Sequence, residues 1–320
     1  MPNSKIIGVG GYLPNKIYDN KYMELLVETS DTWITERTGI KERHIANDGE
    51  LTSDLAFEAA KKAINNANLS IDDIDTIIVA TTTPDRTFPS TATILQNKLG
   101  IKENCFSFDI QAVCCGFIYA LDLADSLIKS LKAKNVIVVG SETLSRIVNW
   151  EDRTTCVLFG DGAGAVILQA TENKTEGILA SSLHSNGQYF NILKTSGGVS
   201  FNREIGFIEM EGKEVFKIAV NKLYSCILET LEKVGLSTEN IDLLIPHQAN
   251  QRIIEAVGKK LNLSSEKIIS TVALHANTSA ASIPLALNYA VQNNRIKKGD
   301  LIALEGIGGG MTWGSTLIKW

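Results

Sequence analysis

Apolar residues over positions 54–67 recur at the three- and four-residue spacing of a helix that buries one face. A short β-branched run at 74–80 follows and predicts a buried strand. The pattern continues with a helix over about 90–99, a strand at 105–110, a helix over about 116–131 and a strand at 135–140. Beyond residue 215 the order repeats: helix 216–234, strand 241–245, helix 250–261, strand 268–274, helix 280–292 and strand 301–304. The triplets Asp73-Ile74-Asp75 and Asn240-Ile241-Asp242 lie 167 positions apart, and the strand starts Asn135 and Asp300 lie 165 apart. Two anchors in near register, with element order kept between them, argue for an internal duplication.

Strands alternating with helices of this length imply parallel sheets joined by right-handed crossovers. Two such units would stack as a layered α/β body. In open parallel sheets, ligands collect beyond the carboxyl ends of the strands. Those ends carry Cys114 in the first copy, and His247, Asn277 and the Gly-rich stretch 306–310 in the second.

Composition narrows the class without naming a chemistry. The 320 residues are 44% hydrophobic and 21% charged, ordinary for a globular chain of about two domain-sized units. A formal net charge of −5 argues against a general nucleic-acid binder. The apolar stretch at 6–13 is too short and too rich in glycine for a signal peptide, and no run approaches the roughly 20 apolar residues of a membrane span. Five cysteines, two of them adjacent, suit a reducing compartment better than a disulfide framework. The expectation is a soluble, cytoplasmic protein with neither nucleic acid nor membrane as partner.

Segment 108–117, Phe-Asp-Ile-Gln-Ala-Val-Cys-Cys-Gly-Phe, is a strand-to-helix junction that puts Cys114 near a helix start, where free N–H groups favour a thiolate. Cys114 and Cys115 are equally readable as small buried hydrophobes, and only one of them can occupy the nucleophile position. His247 follows the 241–245 strand, where a lone histidine is also a common structural residue. Asn277 precedes a helix, and N-capping explains an Asn, Thr or Ser there just as well. His44, His184 and His275 lack comparable context and read as structural. The backbone N–H groups of the 306–310 loop suit an oxyanion hole or a tight hairpin turn, or both. Segment 160–165, Gly-Asp-Gly-Ala-Gly-Ala, looks superficially like a nucleotide loop but opens no helix, and it reads as a turn.

Taken together, these segments resemble the thiolase superfamily, and within it the β-ketoacyl-acyl carrier protein synthase III family. The resemblance covers nearly the whole chain. It runs through Trp33 in segment 29–34, Arg37 in 37–40, the Cys114 segment, 159–165, Pro246-His247-Gln248-Ala249-Asn250, 277–282, 308–310 and Thr312-Trp313-Gly314. It implies a thiolase-like α-β-α-β-α layered fold of two duplicated halves, 1–172 and 173–320, with mixed, largely parallel sheets. It also implies the first condensation of fatty-acid synthesis. Acyl-CoA, typically acetyl-CoA, acylates Cys114; malonyl-acyl carrier protein then loses CO₂, and its carbanion attacks the acyl-enzyme. Acyl-CoA is a substrate, so no cofactor and no metal are expected.

The carry-over gives each residue a role. His247 and Asn277 donate to the malonyl thioester oxygen, and the N–H groups of Cys114 and Gly309 hold the tetrahedral oxyanion. Pairing His with Asn, where elongating synthases carry two histidines, is the pattern of the initiating class. Trp33 and Arg153 sandwich the CoA adenine, Arg37 meets its phosphates, and Phe216 and Asn250 line the CoA tunnel. Phe88 reaches the acyl pocket of the partner in a homodimer, and Ile307 lies beside that pocket. Lys217, Arg252, Lys259 and Lys260 match the basic patch that binds the acidic carrier protein, with Arg252 and Lys259 on one helix face. Such charges also make an ordinary solvated face. Three departures stand out: Cys115 for a usual Ala, Ala276 for a usual Gly, and Ile307 for a usual Phe. Two other readings remain: a cysteine hydrolase of thioesters with papain-like Cys–His–Asn logic, and a related condensing enzyme making a specialised metabolite.

Overall fold

The computed structural model describes residues 2–320. One five-stranded sheet is drawn entirely from the first half, in the order Asn3–Tyr12, Asp161–Thr171, Asn135–Thr143, Thr76–Ala80, Phe106–Ile110. A four-stranded sheet comes entirely from the second, in the order Leu243–Pro246, Leu301–Gly308, Thr312–Lys319, Gly177–Ser185. In the first sheet, Thr76–Ala80 runs parallel to both its neighbours, while Asp161–Thr171 pairs antiparallel on both sides. In the second, only Leu243–Pro246 pairs parallel, with Leu301–Gly308.

Strand alternation decides which layer each side chain enters. Ile78, Val136 and Val138 face the middle of the molecule, where they meet Ile245, Ile302 and Leu304 of the other sheet. Helices Gly116–Lys129 and Ser282–Gln292 fill that middle layer with Phe117, Leu121, Ile283 and Leu287. Ile77, Val79, Ile137 and Val139 point the opposite way, onto helices Thr52–Ala67 and Thr91–Leu99. Leu244, Ala303 and Leu317 pack outward onto helices Gly212–Glu232 and Gln251–Lys260. The result is the expected five layers, α-β-α-β-α. Because both faces of each sheet are covered, the inner strands need apolar residues at every position rather than at alternate ones.

Two expectations are corrected. Segment 160–165 is not a turn: Asp161 opens the long strand Asp161–Thr171, and its small residues let two neighbouring strands and a helix come close. Segment 268–274 is not a strand. It makes a single bridge, Ile268 to Leu244, then turns into the short helix Val272–His275. There the buried Gln248 side chain takes the Thr271 N–H at 2.7 Å, and Lys41 N–H takes the Ala273 carbonyl at 2.9 Å. Both contacts draw the backbone away from the sheet.

The two middle helices begin alike. Each follows a 3₁₀ turn, Val113–Cys115 or Ser279–Ala281, and each turn opens on a residue of positive φ, Val113 at +50° and Ser279 at +49°. These turns meet face to face. Gly140 of the first sheet lies so close to the Ala280 carbonyl that a Cβ would overlap it. Just before the second turn, Ala276 has φ +55° and ψ −160°, a conformation that only glycine adopts without strain.

Opposite stability changes are expected at these two places. Gly140→Ala should destabilise by about 1–3 kcal/mol, as overpacking does, whereas Ala276→Gly should stabilise by about 1 kcal/mol through relief of strain. Urea melts of both variants check this. Unchanged midpoints, or shifts of the same sign, would contradict the reading.

Candidate active site

The 3₁₀ turn Val113–Cys115 follows strand Phe106–Ile110 and delivers Cys114 at a carboxyl end of the first sheet. The turn is clamped by the second half. The Thr312 hydroxyl donates to the Ala112 carbonyl at 2.8 Å, and Gly308 lies against the turn, where a Cβ would come within 2.6 Å of the Cys114 nitrogen. Cys115 is fully buried among the middle-layer hydrophobes, while Cys114 lines a cavity. The two cysteines therefore divide as expected.

His247 caps strand Leu243–Pro246, its N–H donating to the Glu305 carbonyl at 2.8 Å as a last rung of pairing with Leu301–Gly308. Its ring Nδ1 lies 2.6 Å from the Ser282 hydroxyl. Asn277 is held by the first half: its N–H donates to the Leu158 carbonyl at 2.9 Å, and its carbonyl accepts from Gly160 N–H at 3.1 Å. The Asn277 side-chain oxygen accepts from Ser279 N–H at 2.9 Å. A backbone N–H can only be met by the amide oxygen, so the NH₂ end is left for the cavity that Asn277 lines.

Cys114, His247, Asn277, Phe216, Asn250, Ile307 and Gly309 border one cavity of about 520 Å³, otherwise walled mainly by apolar side chains such as Leu144, Phe159 and Met210. Burial sets its electrostatics. It pushes the Cys114 thiol up to about 12, against the expectation that the helix start would favour a thiolate. The same burial brings the His247 imidazole down to about 3 and raises the Glu305 carboxyl to about 8. At neutral pH the cavity thus presents a thiol, a neutral imidazole and a carboxamide.

The remaining site residues fall at the rim or outside. Trp33 is half-buried, and the guanidinium groups of Arg37 and Arg153 each lie 4.9 Å from its ring centre. Arg153 also donates to the Glu28 carbonyl at 2.8 Å. At that separation Arg153 and Trp33 touch directly, so an adenine would have to displace the guanidinium to lie between them. Asn250 caps helix Gln251–Lys260 and donates to the Arg37 carbonyl at 3.1 Å, so capping and cavity lining coincide there. Lys217, Arg252, Lys259 and Lys260 are exposed on the adjacent helices Gly212–Glu232 and Gln251–Lys260. Arg252 sits over the cavity-lining Phe216 ring at 5.7 Å. Phe88 is 82% exposed and lies outside its own chain's cavity. The Gly309 loop is the expected hairpin turn between Leu301–Gly308 and Thr312–Lys319, and it also walls the cavity.

Sequence reasoning missed two supports. Ser282 contacts the His247 ring from the first turn of a helix, a position where a serine normally signals nothing more than a cap. Glu142, fully buried, accepts from Thr82 N–H, Thr83 N–H and the Thr83 hydroxyl, and so shapes the Thr82 wall of the cavity. Its signal was present in the sequence, as a carboxylate two residues beyond the apolar run 136–140 of a strand.

Family models described as 3-oxoacyl-[acyl-carrier-protein] synthase III and its C-terminal region match residues 108–187 and 231–320. The β-ketoacyl-[acyl-carrier-protein] synthase III of Wolbachia pipientis subsp. Culex pipiens is 59% identical over 100% of both chains. That of Ehrlichia canis is 54% identical over the same share. The crystal structure of 3-oxoacyl-[acyl-carrier-protein] synthase III from Aquifex aeolicus superposes with a TM-score of 0.95 at 50% identity, covering 99% of this chain and 100% of that one. With a buried cysteine, histidine and asparagine gathered in one cavity of a five-layered fold, these likenesses show that the chain belongs to the 3-oxoacyl-[acyl-carrier-protein] synthase III family of condensing acyltransferases.

Proposed function

We propose that the chain condenses an acyl-CoA primer, acetyl-CoA in the simplest case, with malonyl-acyl carrier protein, and that Cys114, His247 and Asn277 carry the reaction. The observation behind this reading is the meeting of one thiol and two neutral N–H donors in a single buried cavity. Cys114 Sγ attacks the acyl carbonyl, the C–S bond to CoA breaks, and CoA leaves as the thiol with the proton that Cys114 gives up. Because burial disfavours a free thiolate, that proton departs as the new bond forms. The malonyl C–CO₂ bond then breaks and its electron pair moves toward the thioester oxygen, where the His247 N–H and the Asn277 NH₂ meet the growing charge. Neutral donors stabilise that enolate without gripping the malonate carboxylate, as cations would. The nucleophilic carbon attacks the acyl group on Cys114, the N–H groups of Cys114 and Gly309 hold the oxyanion, and collapse breaks the C–S bond to Cys114, whose sulfur takes up one proton from solvent to return to the thiol. No cofactor is called for.

Hydrolysis by papain-like logic fits less well, since there an asparagine must orient the histidine. Here the His247 ring meets Ser282, while the Asn277 oxygen is spent on Ser279. Trp33, Arg37 and Arg153 are assigned to the CoA nucleotide, with the arginines already at the ring. Lys217, Arg252, Lys259 and Lys260 are assigned to the carrier protein, with Arg252 over the ring of the cavity-lining Phe216. A homodimer is proposed from Phe106–Ile110, an edge strand whose outer side pairs with no other strand among the described residues, and from Phe88 nearby in the chain. No helix of the described residues is long and apolar enough to cross a membrane, and a cytoplasmic location fits the cysteine content. We also take residues 1–172 and 173–320 as copies of one ancestral unit, because the turns at Val113 and Ser279 repeat at the spacing of the sequence anchors.

Intact-mass analysis after incubation with a panel of acyl-CoA primers should show one acyl group on Cys114, and none on Cys114→Ala. Asn277→Ala should still acylate, while release of CO₂ from malonyl-carrier protein falls on the order of 10²–10³-fold, as when one such donor is deleted. Acylation of Cys114→Ala, or CO₂ release by Asn277→Ala at the unaltered rate, would refute the assignment.

A further inference from the structure

A neutral imidazole carries one proton, and the reaction proposed above depends on which nitrogen holds it. With the proton on Nε2, His247 is a donor toward the cavity; with it on Nδ1, the cavity-facing nitrogen is a lone pair that would repel a developing enolate oxygen. The main chain does not settle the matter, because the clamp through Glu305 fixes the His247 backbone and leaves the ring proton free to choose.

The Ser282 hydroxyl settles it. Ser282 is 1% exposed, in the first turn of helix Ser282–Gln292. Its oxygen receives the Gln248 N–H at 3.3 Å and lies 2.6 Å from His247 Nδ1. Gln248 is immobile, its amide donating to the Pro246 carbonyl at 2.6 Å and accepting Thr271 N–H at 2.7 Å, so its N–H stays aimed at that oxygen. A hydroxyl whose oxygen already accepts one proton uses its own proton where an acceptor waits, and among the described residues the Nδ1 lone pair is the partner within reach. If Nδ1 were protonated instead, the Ser282 oxygen would receive two N–H groups and its own O–H would be buried without an acceptor. We propose that Ser282 is the positioning residue that fixes His247 as the Nε2–H tautomer, and so makes it a donor to the reacting thioester oxygen. This rests on the condensing reading above. It adds a residue that touches neither substrate nor the reacting atoms, and whose loss affects decarboxylation while sparing thiol acylation.

The test combines NMR and partial reactions on the full-length protein. In ¹⁵N-histidine-labelled wild type, with the His247 signal assigned by comparison with His247→Gln, two-bond ¹H–¹⁵N correlations should show the proton on Nε2. Ser282→Ala should release CO₂ from malonyl-carrier protein on the order of 10–100-fold more slowly, short of outright donor deletion. Its KM for that substrate and its Cys114 acylation rate should stay within about threefold of wild type. Ser282→Thr, which keeps the hydroxyl, should recover most of the decarboxylation rate. A wild-type proton on Nδ1, unaltered decarboxylation in Ser282→Ala, or equal losses in both half-reactions would overturn the proposal. A wild type that acylates but never decarboxylates malonyl thioesters would sink the condensing reading instead, and the NMR result would then decide the tautomer claim alone.

Discussion

The cavity exists because the two halves approach each other at backbone distance, and each half holds a cavity-lining residue of the other. Cys114 belongs to the first half, but its turn is fixed by Thr312 and packed under Gly308 of the second. Asn277 belongs to the second, but its peptide is stitched between Leu158 and Gly160 of the first. Gly140 against Ala280 is a further point where the two halves meet at backbone distance. A thiol and a carboxamide positioned in this way cannot drift independently, because displacing either one breaks hydrogen bonds of the opposite half. That is the preorganisation which a charge-developing reaction requires.

Burial does the rest. In the enclosed cavity it keeps Cys114 protonated and His247 neutral, and behind the cavity wall it raises the Glu305 carboxyl to about 8. A site assembled from neutral dipoles suits a step that starts from a carboxylate and ends in an enolate, since a fixed cation would favour the starting anion as much as the product. The cost appears in the backbone, at Val113, Ala276 and Ser279, all with positive φ and all within two residues of Cys114 or Asn277. Strained turns of this kind persist only where surrounding packing over-determines them.

Much of this was legible in the sequence. The β-branched runs and helical spacings gave the parallel parts of both sheets, because a strand covered on both faces leaves an unbroken apolar signature. The repeat of Asp75 at Asp242 reflects the same job done twice, each carboxylate accepting from the backbone N–H groups that open the neighbouring strand, at Lys134 and at Leu301. The antiparallel parts were harder to see. Asp161–Thr171 begins with small residues that signal a turn until a helix and two strands are found packed on them. Segment 268–274 has the composition of a strand, yet a distant glutamine side chain claims its backbone. The cysteine, histidine and asparagine stood out only as a set of ordered motifs, each having a plain structural explanation when taken alone. Ser282 could not be found at all, since its role depends on a contact 35 residues away in sequence.

Condensation in this cavity requires that the first half's thiol and the second half's donors face the same substrate. A crystal structure of the acetylated enzyme with a non-decarboxylating malonyl thioester analogue measures this directly. The expected result is an acetyl group on Cys114 Sγ with its carbonyl oxygen between the N–H groups of Cys114 and Gly309, and the analogue's thioester oxygen within about 3.2 Å of both His247 Nε2 and Asn277 Nδ2. An analogue oxygen turned away from those two atoms, or an acetyl group on any other residue, would contradict it.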